Sequence, residues 1–193
     1  VVLAELASPL LRAVLKPAVE LLAGIPSVVY GFLGVVLLVP LIRDHLGGPG
    51  LSLLAVAIIL GIMILPTIIS ISIDAICAVP ATYREASLAV GATQWQTIYR
   101  VVLPAARSGI ITAAVLAMGR AVGETMAVIM VAGNALRLPH SVLDSVRTLT
   151  SNIALELGYA SGDHRAALFA TGLVLFAVIL ALNGAASLLR RRQ

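Results

Sequence analysis

Two charged side chains stand inside an otherwise apolar run: Arg120 and Glu124 within residues 119–134, GRAVGETMAVIMVAGN. An ionisable group embedded in so hydrophobic a segment is costly, and it marks a functional site by default. The i,i+4 spacing puts both residues on one helical face, where each partly neutralises the other. Gly119 and Gly123 form a Gly-x-x-x-Gly beside them, a spacing that lets a second helix pack closely. Two chemistries fit. The pair either lines a path for an anion or is an ion pair that fixes helix packing, and spacing alone leaves these even.

Little else in the chain could do chemistry. There is no Gly-x-x-x-x-Gly-Lys-Ser/Thr loop to cradle a nucleotide phosphate. His45, His140 and His164 lie far apart in loops without metal-ligand spacing, so no metal site is expected. Cys77 is the single cysteine, which excludes an internal disulfide. No Ser/His/Asp set or paired carboxylates suggest catalysis, and no catalytic residue is assigned: the chain does not read as an enzyme.

The elements that must position Arg120 and Glu124 are membrane helices. The 193 residues are 60% hydrophobic and only 11% charged, with a mean hydropathy of +1.07, whereas soluble domains carry roughly 25% charged residues. Such a chain has too little polar surface to cover a soluble core. An all-α, polytopic helical membrane protein is expected, in which the net charge of +4 says little about nucleic acid and its distribution among loops says more. The chain opens on VVLAELA, with neither an initiator Met nor a signal peptide. That reads as the tail of a span already under way, so the numbering is expected to begin inside a longer protein.

In chain order, residues 8–16 read as a short basic connector. A first complete span is expected over 17–42, with Glu20 near its start and a break at Ile25-Pro26-Ser27. Residues 43–50 (RDHLGGPG) are a turn. A second span, 51–73, is uncharged and long enough for the roughly 20 residues a crossing needs; Pro66 should bend it, and Asp74 should pair with an interfacial Arg. The third span, 110–134, carries Arg120 and Glu124. Residues 136–165 form a long loop in which Val146, Leu149, Ile153 and Leu157 share one helical face. The fourth span, 166–189, ends on Arg190-Arg191-Arg192.

Lys and Arg divide unevenly among the loops. Arg12, Lys16, Arg84, Arg100, Arg107 and Arg190 to Arg192 fall on one side, against Arg43, Arg137, Arg147 and Arg165 on the other. The richer side should be cytoplasmic. It includes residues 82–104, TYREASLAVGATQWQTIYRVVLP, which read as two short helices joined by a tight turn. Thr82 with Glu85, and Thr93 with Gln96, have capping-box spacing. Gly91 suits a left-handed helix end, and the second helix should stop at Pro104. A self-capped elbow of this kind is a good docking shape.

Glu85-Ala86-Ser87, then Gly91 after three residues, Val101 after nine more, and Leu103-Pro104 resemble the EAA loop of ATP-binding-cassette importer permeases. Ser87 stands where that pattern has a second Ala, and Val101 where it has Ile. The resemblance implies a type I importer permease fold, a single transmembrane permease domain over 1–193 with its coupling loop at 82–104. Glu85, Ala86, Gly91, Leu103 and Pro104 then belong to the ATPase-coupling surface.

The resemblance narrows at residues 119–134, and at LKPAVELLAGIPSVVY (15–30) and VRTLT (146–150). These are similar to phosphate-specific importer permeases, more to the C-type subunit than to its A-type partner. The likeness covers nearly the whole chain. It implies an N-terminally truncated member with about four complete spans, working with an A-type permease, a cytoplasmic pair of ATP-binding subunits that carry ATP and Mg, and an extracytoplasmic phosphate-binding protein. It also implies roles in phosphate passage for Arg120 and Glu124. Membrane lipid is the remaining partner, no nucleic acid is expected, and the chain itself holds no cofactor. Two alternatives stay open: a permease for another oxyanion such as molybdate or sulfate, and a membrane scaffold or phosphate-signalling component.

Overall fold

The computed structural model describes residue 5 and residues 7–191. Its helices run in order α1 (Pro9–Gly24), α2 (Ser27–Leu33), α3 (Val39–Leu46), α4 (Leu53–Cys77), α5 (Ala81–Ala89), α6 (Gln94–Thr97), α7 (Leu103–Gly123), α8 (Met126–Val131), α9 (Leu149–Glu156) and α10 (Gly162–Arg191). Two five-residue π segments, Gly34–Leu38 and Ile98–Val102, join α2 to α3 and α6 to α7. Four continuous helical stretches have membrane length and composition: Ser27–Leu46, Leu53–Cys77, Gln94–Gly123 and Gly162–Ala185. The fold is all-α; the pairing seen outside the helices is an isolated bridge between Gly133 and Val146. Two compact units make up the chain. One takes the N-terminal stretch to Gly24, Leu65–Met118 and the end from Ala185; the other takes Ile25–Ile64 and Gly119–Gly184.

In the second unit the break expected at Ile25-Pro26 is present. α1 ends at Gly24, and Pro26 (φ −58°, ψ 138°) is the N-cap of α2, because a residue before proline is pushed out of the α region. The first span therefore starts at Ser27 and not at residue 17, and residues 8–16 are largely the start of helix α1 rather than a connector. α2 packs against α8 so closely that a Cβ on Gly31 would lie 2.8 Å from Met130 Sδ and 2.9 Å from Ala127 Cα. Only glycine permits that approach. Tyr30, Ile42, Ile59, Met63, Val128 and Val131 fill the core around this contact.

The first unit has its own smaller core of Ile73, Ile76, Val79, Val102 and Ala106. Where the alternative is water, each of its Ile and Val side chains contributes about 2 kcal/mol by burial. Asp74 pairs with Lys16, at 3.2 Å, and not with an Arg; both side chains are well exposed, so solvent screening leaves the bridge little weight.

Two further expectations are corrected. Pro104 does not stop its helix, which runs on from Gln94 to Gly123. The π segment just before it opens the turn, and a wider turn relieves the clash between a proline ring and the carbonyl four residues back. The loop helix α9 exists, but only part of the expected apolar face is covered: Val146 is buried and Ile153 half-buried, while Leu149 and Leu157 are exposed. Thr150 and Ser151 are buried too, so hydroxyl bonding helps to seat it. On α10, Phe169, Leu173, Phe176 and Leu180 all face outward, the pattern of a helix that meets lipid or another subunit.

Candidate functional site

Arg120 lies in the last turn of α7, where its positive charge complements the helix C-terminus. Glu124 falls one residue beyond that helix. The third span is thus not the continuous helix expected over 110–134, and the two residues do not share one unbroken helical face. Thr125 (φ −122°, ψ −55°) breaks the chain, and α8 restarts at Met126. The sequence carries no proline here. What ends the helix is local competition for the backbone: Thr125 Oγ1 donates to the Gly123 carbonyl at 3.2 Å.

Glu124 itself serves both sides of the break. Its carboxylate Oε1 accepts from the Ala127 N–H at 3.3 Å, in the first turn of α8. Its carbonyl accepts from Thr150 Oγ1 at 3.0 Å. Groups that a helix end leaves unsatisfied are thereby paired. Irregular backbone in a membrane protein persists only where protein or a water-filled cavity surrounds it, and α8, with Ala127, Val128 and Val131 buried, meets that condition. Arg120 is exposed on this chain. Arg120 thus stands in the last turn before the helix break, and Glu124, half-buried, lies just beyond that helix. A Cβ on Gly119 or Gly123 would have no described neighbour within 4 Å, whereas one on Gly31 would clash.

The elbow is a separate constellation, within the first unit. The cap of α5 is Pro80, and no side chain bonds there, so the Thr82–Glu85 capping box does not form; Thr82 already lies inside the helix. Gly91 has φ +86°, with its N–H bonded to the Leu88 carbonyl and the Ala92 N–H to that of Ser87. These are the two bonds of a Schellman motif. The second capping box does form: Thr93 Oγ1 accepts from the Gln96 N–H, and Gln96 Oε1 from the Thr93 N–H.

Ser87 and Arg84 make further contacts at the elbow that residue spacing does not signal. Ser87 Oγ lies 2.9 Å from Thr97 Oγ1, closing α5 onto α6. Arg84 donates to the Val79 and Ile76 carbonyls at 2.6 and 3.0 Å, and pairs with Glu5 at 2.6 Å. It thus gathers the end of α4, the elbow and the N-terminal stretch. The signal for Ser87 was present: it is the one residue of the Glu-Ala-Ala triplet that departs from the pattern. Glu85 and Ala86 are exposed, and so are Tyr83, Leu88, Val90, Trp95 and Tyr99. Leu103 is half-buried against the Ile76–Val102 core, and Pro104 is exposed.

In the loop after α8, the carboxyl of Asp144 is held below its usual range by the His140 and Ser141 N–H groups. That of Glu156 is held down chiefly by Arg147. His164 Nε2 is 3.7 Å from Glu156.

Residues 1–193 match the family described as binding-protein-dependent transport system inner membrane component. The chain belongs to that family. It is a multi-pass membrane protein and a transport permease by family, not a catalytic subunit. It is 52% identical over 168 residues to the probable ABC transporter permease protein YqgH of Bacillus subtilis, covering 85% of this chain and 54% of that protein. To the phosphate transport system permease protein PstC of Mesorhizobium japonicum it is 41% identical, covering 91% of this chain and 60% of that one. To the PstC of Pasteurella multocida it is 37% identical, covering 91% and 61%. The chain therefore spans less than two thirds of the length of these permeases.

Proposed function

We propose that this chain forms the solute path and the coupling elbow of a permease subunit in an ATP-driven importer of inorganic phosphate. The observation that carries the reading is its similarity, over nine-tenths of its length, to permeases named for phosphate transport. Arg120 and Glu124 at the break between α7 and α8 are the path residues. The guanidinium supplies a planar fork matched to phosphate oxygens. The Glu124 carboxylate, four residues on in the chain, tempers its field, so that the anion is released as well as bound.

The elbow, with Glu85, Ala86 and the turn at Gly91, docks on a cytoplasmic ATP-binding subunit pair, which holds ATP and Mg. Its exposed Tyr83, Trp95 and Tyr99 suit such an interface, since aromatic anchors are enriched in interface cores. Leu103 and Pro104 link that docking surface to the helix carrying Arg120. An A-type permease and an extracytoplasmic phosphate-binding protein complete the assembly, and Gly119 and Gly123, open on this chain, suit close packing by a helix of the partner permease.

The experiment is purification of the complete complex in mild detergent, reconstitution, and ATP-dependent uptake with competing anions. The account expects an ATP-binding subunit to co-purify, and uptake of phosphate to resist excess sulfate or molybdate. Competition by either anion would move the assignment to another oxyanion. Purification without any ATP-binding subunit, and with no uptake, would favour a scaffold.

A further inference from the structure

The polar cluster around α9 has no role in the account so far. α8 is six residues long, too short to hold its place by its own hydrogen bonds. It is gripped at both ends by the segment that follows it. At its start, Thr150, only 8% exposed, donates its hydroxyl to the Glu124 carbonyl at 3.0 Å. At its far end, Arg147 Nε donates to the Asn134 carbonyl at 3.0 Å, and the Val146 N–H donates to the Ala132 carbonyl at 2.9 Å. Arg147 is itself anchored in α9, with Nη1 2.7 Å from Glu156 Oε1 and 3.3 Å from Asn152 Oδ1. Its side chain is 15% exposed.

We propose that Thr150 and Arg147 are positioning residues that aim the Glu124 carboxylate. Through the two carbonyls they fix both ends of α8, and Glu124 Oε1 rests on the first turn of that same helix. The hydroxyl of Thr150 also removes the incentive for α7 to continue through Glu124, because it satisfies the carbonyl that a further helical turn would otherwise pair. A helix re-formed across the break would rotate the carboxylate away from its present direction. The inference rests on the reading of Glu124 as a path residue.

The test uses the complete importer with Thr150→Val, Thr150→Ser, Glu124→Gln and the double variant Thr150→Val/Glu124→Gln. Complex yield, KM and maximal phosphate uptake are measured for each. Thr150→Val is expected to lower maximal uptake about tenfold, with yield and KM unchanged, since capture by the binding protein precedes the path. Thr150→Ser, which keeps the hydroxyl, is expected to restore it. The double variant is expected to match Glu124→Gln alone. Unchanged uptake in Thr150→Val, or a double variant whose losses multiply, overturns the positioning role. Normal uptake in Glu124→Gln instead overturns the path reading itself. Should Thr150→Val assemble poorly, Arg147→Lys gives the same comparison. It keeps a charge for Glu156 but lacks the fork that also reaches Asn134, and its loss must likewise vanish in the Glu124→Gln background.

Discussion

Ser87 is where the elbow departs from the Glu-Ala-Ala pattern, and its hydroxyl bonds Thr97 across the turn. Thr97 is 4% exposed, so Ser87→Ala leaves a buried hydroxyl without this partner. A loss of about 1–2 kcal/mol is expected, read as a lower thermal transition of the detergent-purified complex; an unchanged transition would show the contact to be incidental. Arg84 is the larger stake. Arg84→Gln releases the Ile76 and Val79 carbonyls and strands Glu5, whose side chain is 12% exposed. The expected cost is about 1–3 kcal/mol, visible in the same assay. The Glu156 carboxyl, held below its ordinary value by Arg147, adds a pH dependence. Its contribution is present above the usual carboxylate pKa and is lost as pH falls through the lower folded value. Acidification should therefore weaken the α9 region before the elbow, as seen by amide exchange across the two segments. At this scale the sequence singles out a residue type that is rare in its setting, as with Arg120 and Glu124. Thr150, Arg147 and Ser87 escaped because hydroxyls and loop arginines are common, and only their neighbours reveal what they hold.

Helix ends tell a similar story at the scale of elements. Breaks governed by proline and glycine could be read directly: Pro26 caps α2, and Gly91 takes the left-handed turn. The break after Gly123 could not, because it comes from hydroxyl and carboxylate bonds to backbone groups within an apolar run, which hydropathy does not register. Pro104 misled in the opposite direction, since a π segment absorbs it. The Gly91 turn carries its own test. With φ at +86°, a β-branched residue is strained there. Gly91→Val should misalign α5 against α6, so that uptake and stimulation of ATP hydrolysis fall together while the protein still inserts. Normal coupling in that variant would make the elbow a passive loop.

At the scale of the whole molecule, the charge asymmetry among the loops predicts an orientation. A single membrane-length helix, Gln94–Gly123, separates the elbow from the loop holding His140. In a Cys77→Ser background, Gln94→Cys and His140→Cys should react with an impermeant thiol reagent from opposite sides, Gln94→Cys from the cytoplasm. Reaction of both from one side would contradict that arrangement of spans. Membrane class, span number and elbow were legible because they rest on composition and spacing, which survive without knowledge of packing. The helix break between Arg120 and Glu124 was not, since it depends on where α7 stops.

The most direct measurement is phosphate uptake by reconstituted importer carrying Arg120→Gln, with complex yield determined in parallel and with Glu124→Gln and the double variant beside it. If Arg120 meets the anion in the path, uptake falls at least about tenfold at normal yield. Arg120→Lys recovers little of it, for an ammonium lacks the planar fork. If instead the single variants assemble poorly, as stranded buried charges do, and the double variant regains both yield and transport, the pair only packs helices and the account is wrong.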